Sequence, residues 1–170
     1  VAESISSPVP SIEITAPTGT GEQVVVSSVS TYDPLGDDRE NADLAQLAID
    51  GDPQTAWTTV EYRKANMSKS GVGLVMQLNG SALAQLQADI QGDGWKARVY
   101  TSNSAGSDLE AWGSPIWEGS SDDGSTITTS FTTPSQFALV YLTQIGQSGF
   151  CSNNNPYRGY ISEIRIQPTP

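Results

Sequence analysis

From Val24 onward the sequence is cut into short apolar runs that turn residues close before any reaches the length of an ordinary helix: "VVVSSVS", "GLVMQLN", "LAQLQADI", "WKARVYT", "TITTSFT", "FALVYLT" and "YISEIRI". Runs of this length, separated by Gly, Asp, Asn and Ser, predict seven or eight strands in an all-β sandwich or jelly roll. The last run alternates, with Ile164 and Ile166 on one face and Glu163 and Arg165 on the other, as a strand with one side on the core does. "FALVYLT" is apolar on both faces, which predicts a central strand. One helical signal interrupts the pattern: in "ENADLAQLA", Asn41 or Asp43 is placed to cap a turn or two carrying Leu44 and Leu47 at i, i+3. No repeat with a period of roughly 20 to 50 residues appears, which argues against a propeller or solenoid.

The 170 residues suit one domain with a tail. Residues 1–22 are rich in Ser, Thr, Pro and Gly and read as a semi-extended linker, leaving 23–168 for the folded domain. A net charge of −11 repels phosphate backbones and anionic lipid, so neither nucleic-acid binding nor direct membrane insertion is expected. The absence of histidine removes the commonest general base, the Ser-His and Cys-His nucleophile pairs and the commonest zinc ligand. Cys151 stands alone and reads as a small half-buried residue. No stretch approaches the ~20 apolar residues of a membrane span, and any signal or anchor is expected outside this sequence. Asp37, Asp38, Asp122 and Asp123 offer carboxylate pairs of the kind glycosidases use, but adjacent aspartates on Gly-rich turns point in different directions and read as solvated turns.

Two segments are too long and polar for hairpin turns: "VEYRKANMSKSG" (60–71) and "GQSGFCSNNNPYRG" (146–159). They carry Arg63, Lys64, Lys69 and Arg158, half of the eight basic residues of an acidic chain. A third segment, "LAIDGDPQTAWTT", resembles a metal loop only loosely. Asp50, Asp52 and Glu61 match EF-hand positions, but Thr55 stands where the sharp turn demands glycine. The tight Asp-Gly-Asp-Pro turn still suits a hard cation, since it directs oxygen ligands toward a common centre.

"ENADLAQLAIDGDPQTAWTT", followed by "GVGLVMQLNG", "WKARVYTS" and "FALVYLTQI…YRGYISEIRI", resembles the discoidin-like domains, the galactose-binding-like jelly roll of coagulation-factor C domains and of many bacterial carbohydrate-binding modules. The wording "YDPLGDDREN", "GVGLVMQL" and "LTQI…YRGYISEI" looks most like the discoidin-like domain at the extracytoplasmic C-terminus of actinobacterial MviN/MurJ-type proteins, whose membrane region resembles a flippase for the peptidoglycan precursor lipid II. The resemblance implies a jelly-roll β-sandwich of about eight strands with no catalytic residues, tethered to a membrane protein on the cell surface. It also implies that the domain binds a cell-envelope glycan or a protein partner, or serves as a spacer. A module of a secreted carbohydrate-active enzyme is the alternative.

The resemblance also implies a structural calcium site: a carboxylate from Asp52, the carbonyl of Asp50, the hydroxyl and carbonyl of Thr55, and a closing carboxylate from Glu163. Without metal, the two aspartates are turn formers and Glu163 a solvated strand residue. Trp57 is expected in the core, and Trp95, Trp112 and Trp117 in the core or at its rim. Sugar-binding relatives place aromatic and basic groups on loops at one end of the sandwich. The candidates here are Tyr62, Arg63 and Lys64 with Phe150, Tyr157 and Arg158. Arg158 has a second reading, as a structural residue holding the last strand.

Overall fold

The computed structural model describes residues 24–37 and 39–169; the expected linker 1–22 and Asp38 lie outside the described residues. Among these, nine strands form two antiparallel sheets: β1 (Val26–Tyr32), β2 (Trp57–Thr58), β3 (Val72–Ala82), β4 (Ala84–Ile90), β5 (Lys96–Ser102), β6 (Trp117–Ser120), β7 (Thr126–Ser130), β8 (Ser135–Gln144) and β9 (Tyr160–Pro168). The sheets run β1-β3-β8-β5-β6 and β2-β9-β4-β7. All seven apolar runs are strands. The two strands without a run of their own, β2 and β6, are too short to show a period of two.

The alternation places Leu74, Met76 and Leu78 of β3, Ala138, Val140 and Leu142 of β8 and Leu86, Ala88 and Ile90 of β4 in the core between the sheets. Trp57 is 0% exposed there, and its indole N–H donates to the Glu40 carbonyl at 2.8 Å. β8 lies at the middle of the five-stranded sheet. Its other face, Leu139 and Tyr141, packs with Tyr32, Val75, Tyr100 and Trp112 into a second cluster on the outside of that sheet. Two packed faces account for its two-sided apolar pattern. Trp95 and Trp112 are buried, and Trp117 packs half-buried against the main core.

The helical signal is a 3₁₀ segment, Ala42–Ala48. Asn41 stands at its N-cap but does not cap it with its side chain. The residue adopts φ 51°, and its amide donates instead to the carbonyls of Thr58 and Thr59 at 2.9 and 3.1 Å, tying the segment to β2. Asp122 and Asp123 close a single 3₁₀ turn, in which the Asp123 carboxylate accepts the Ser120 N–H at 3.0 Å. No helix among the described residues is long and apolar enough to cross a membrane.

Candidate functional site

The two long loops meet at one end of the sandwich. Tyr62 and Tyr157 exchange backbone hydrogen bonds, Tyr62 N–H to Tyr157 O at 2.8 Å and the reverse at 3.1 Å. Below them the Gly159 N–H donates to Thr59 Oγ1 at 3.0 Å. Beside this junction the 146–150 backbone and the β4–β5 turn enclose a cleft of about 260 Å³, lined among others by Gln91, Asp93, Gln147, Phe150, Arg158 and Tyr160. Glycine makes the closure possible, because a Cβ at Gly146 would fall 1.9 Å from the Asp93 carbonyl oxygen.

The candidate residues take different places around it. Arg158 lines the cleft, with Nη2 3.3 Å from Glu61 Oε1 and a buried Nε that has no protein partner. Glu61 is held below the usual carboxylate range, first by the Ser152 hydroxyl and then by its N–H, with Arg158 adding to the effect. Phe150 stands at the rim, 91% exposed. Tyr157 is half-buried, and its hydroxyl accepts from Gln147 Nε2 at 3.4 Å. Arg63 and Lys64 are exposed on the neighbouring loop.

Tyr62 is engaged elsewhere: its hydroxyl hydrogen-bonds Glu40 Oε1, and Lys69 Nζ lies 5.1 Å from its ring centroid. Burial, and then Glu40, push that hydroxyl far above its ordinary pKa. Gln91 and Asp93 line the cleft from outside the two long loops and, like Gln147 and Tyr160, were not singled out by the sequence. Their "QGDG" turn joins β4 of one sheet to β5 of the other, and only the fold brings it against residues 146–150. The cleft offers an open aromatic ring, one arginine, one carboxylate and several amide and hydroxyl groups, which is equipment for holding a polar ligand.

On the next face, the loop after the 3₁₀ segment gathers oxygen atoms. Thr55 Oγ1 lies 2.8 Å from Asp50 Oδ2, 3.0 Å from the Asp52 carbonyl and 3.5 Å from the Leu47 carbonyl. One hydroxyl proton cannot satisfy three acceptors. The Asp50 carboxylate and the Asp52 carbonyl face Thr55, while Asp50 Oδ1 accepts the Asp52 N–H at 2.9 Å and Asp52 Oδ1 accepts the Gln54 N–H at 2.9 Å in local turns.

Glu163 is not a solvated strand residue. It is 3% exposed, its buried Oε2 has no hydrogen-bond partner among the described residues, and the Gly51 N–H lies near the carboxylate. Burial raises its pKa, and the Asp50 and Asp89 charges add to the shift. Asp50 is shifted the other way, first by the Asp52 N–H and then by Thr55. Among the described residues no three Asp, Glu or Cys side chains converge on an ion, so a cation here has to draw on carbonyls as well. An orphaned buried carboxylate facing an oxygen-rich turn fits calcium's preference for hard oxygen ligands.

No family model matches the chain, and no curated protein matches its sequence. Solved structures share its architecture. Chitosan-binding module 1 of a chitosanase/glucanase from Paenibacillus sp. IK-5 is 17% identical with a TM-score of 0.59, the match covering 84% of this chain and 95% of that one. CpGH89CBM32-6 from Clostridium perfringens is 13% identical with a TM-score of 0.55, over 88% and 97%. A pectin binding carbohydrate binding module is 17% identical with a TM-score of 0.51, over 86% and 94%. The fold is the discoidin-like, galactose-binding-like β-sandwich.

Proposed function

We infer that this domain is a non-catalytic glycan-binding module, and that its ligand enters the cleft between the β4–β5 turn and residues 146–150. The observation that carries this reading is the pairing of Phe150, an exposed ring at the rim, with Arg158, a cation in the wall of an acidic chain's cleft. An aromatic face takes the apolar side of a sugar ring. The arginine, Asp93 and the Gln91 and Gln147 amides supply donors and acceptors for its hydroxyls. Tyr157, Arg63 and Lys64 extend the site toward the 60–71 loop, and Tyr62 anchors that loop through Glu40 and Tyr157. The names of the neighbours, a chitosan-binding module and a pectin binding module, support a glycan as the ligand class.

Calcium bound among Asp50, Asp52, Thr55 and Glu163 serves as a structural brace that ties the loop after the 3₁₀ segment to β9. The sequence resemblance supports an extracytoplasmic setting, in which residues 1–22 tether the domain to an MviN/MurJ-type membrane protein and the ligand is an envelope glycan. A second reading, a module of a secreted carbohydrate-active enzyme, is favoured by the neighbour from a chitosanase/glucanase. Calorimetric titration with muropeptides, chitosan oligosaccharides and pectin oligosaccharides separates these readings. Saturable binding to muropeptides alone supports the envelope setting, and binding to chitosan or pectin alone supports the enzyme-borne module. Binding to none of the three refutes the glycan reading and leaves a spacer or protein-docking domain.

A further inference from the structure

Behind the cleft loops lies a group of ionisable side chains that glycan binding does not use. Asp33 directly follows β1, and Lys69 lies just before β3, the strand antiparallel to it. Lys69 Nζ is 2.8 Å from Asp33 Oδ1 and 3.0 Å from Glu40 Oε1, and the three side chains are 13%, 0% and 2% exposed. Glu40 is held by the Val60 N–H at 3.0 Å and by the Tyr62 hydroxyl. Asp33 Oδ2 is buried and has no hydrogen-bond partner among the described residues. The backbone closes over it at Gly36, where a Cβ would fall 1.7 Å from that oxygen.

We propose that Lys69 and Asp33 become joined by an amide bond after folding, with Glu40 as the proton carrier. The amine and the carboxyl group are held in contact and shielded from water, which makes their condensation an intramolecular reaction. The Lys69 ammonium passes one proton directly to Asp33 Oδ1, 2.8 Å away, leaving a neutral amine beside a neutral carboxylic acid. Nζ attacks Cγ and the C–N bond forms. Glu40 accepts the second Nζ proton and delivers it to the departing Asp33 hydroxyl. One C–O bond breaks and one water leaves, so the step consumes no oxidant, reductant or other reactant.

Three buried charges become one, that of Glu40, which keeps the Val60 N–H and the Tyr62 hydroxyl and gains the amide N–H as a donor. The condensation removes the buried Asp33 carboxylate with its unpartnered Oδ2, while Glu40 exchanges the ammonium for a neutral amide donor, a cost that falls on the one remaining charge. Burial pulls the Lys69 pKa down, but hydrogen bonds with Asp33, Tyr62 and Glu40 more than offset it. Lys69 therefore starts as the ammonium paired with Asp33 and Glu40.

The test is the intact mass of the full chain after denaturation, with a peptide map. The expected result is a mass short by one water and a branched peptide joining Asp33 to Lys69. Asp33 is followed by Pro34, which has no N–H to close on the side chain, so loss of water at Asp33 reports the cross-link and not a cyclic imide. A full-length mass overturns the proposal, as does a missing water that maps to a turn such as Asp50–Gly51. Glu40→Gln, checked for native circular dichroism, is expected to keep the full mass. If it folds and still cross-links, Glu40 is not the carrier; if it fails to fold, the wild-type mass and map decide the cross-link alone.

Discussion

Asp50 Oδ2 and Thr55 Oγ1 lie 2.8 Å apart across the turn that follows the 3₁₀ segment, and the Glu163 carboxylate lies near the Gly51 N–H of the same turn. A cation bound here is bound by the folded state alone. Calcium at a hundred times its dissociation constant is therefore expected to stabilise the domain by ~2.7 kcal/mol, read as a rise in Tm that chelator reverses. Glu163→Gln and Asp50→Ala abolish the rise. Coincident melting curves with calcium and with chelator would remove the metal from the account.

The raised pKa of Glu163 gives a pH signature. Its folded value lies above its unfolded value of 4.5, so the metal-free native state keeps the proton to higher pH than the unfolded chain. Metal-free stability gains from this proton at low pH and loses the gain as pH rises through the folded pKa. Calcium needs the ionised carboxylate, so its own increment grows over the same window. Thermal melts from roughly pH 4 to 7, with and without calcium, are expected to diverge as pH rises, and Glu163→Gln removes the divergence.

Trp57 carries stability rather than binding. It is fully buried and donates to the Glu40 carbonyl, so Trp57→Ala is expected to cost ~3–5 kcal/mol, much of the stability of a domain this size. Denaturant unfolding measures the loss. A variant that keeps wild-type stability but loses ligand would make Trp57 part of the site.

Phe150 and Arg158 behave oppositely. Phe150 is 91% exposed, so Phe150→Ala is expected to change stability by less than about 0.5 kcal/mol while weakening glycan binding roughly tenfold, about 1.4 kcal/mol. Arg158→Lys keeps the charge but loses the planar fork, and binding is expected to weaken as well. Paired melts and calorimetric titrations check both, and unchanged affinity in both variants would move the ligand elsewhere.

Much of this fold was legible because a short apolar run closed by turn residues is a local signal: β3, β4, β5, β8 and β9 each carry one. β2 has two residues, and its pairing with β9 depends on Trp57 and Asn41, which no period reveals. The oxygen-rich turn was legible as a composition, but which oxygens meet Thr55 was not, since both aspartates close the same kind of turn. The cleft was half legible. Phe150 and Arg158 stand out against a polar loop, whereas Gln91 and Asp93 enter only because Gly146 lets two distant turns touch.

A backbone amide-shift titration of the domain with the glycan that binds it maps the ligand site residue by residue. Shifts are predicted to gather at residues 91–94, 147–150 and Arg158, with weaker ones at Arg63 and Lys64. Shifts confined to the outer strand edges or to the Ser121–Asp123 turn would contradict a ligand site in this cleft.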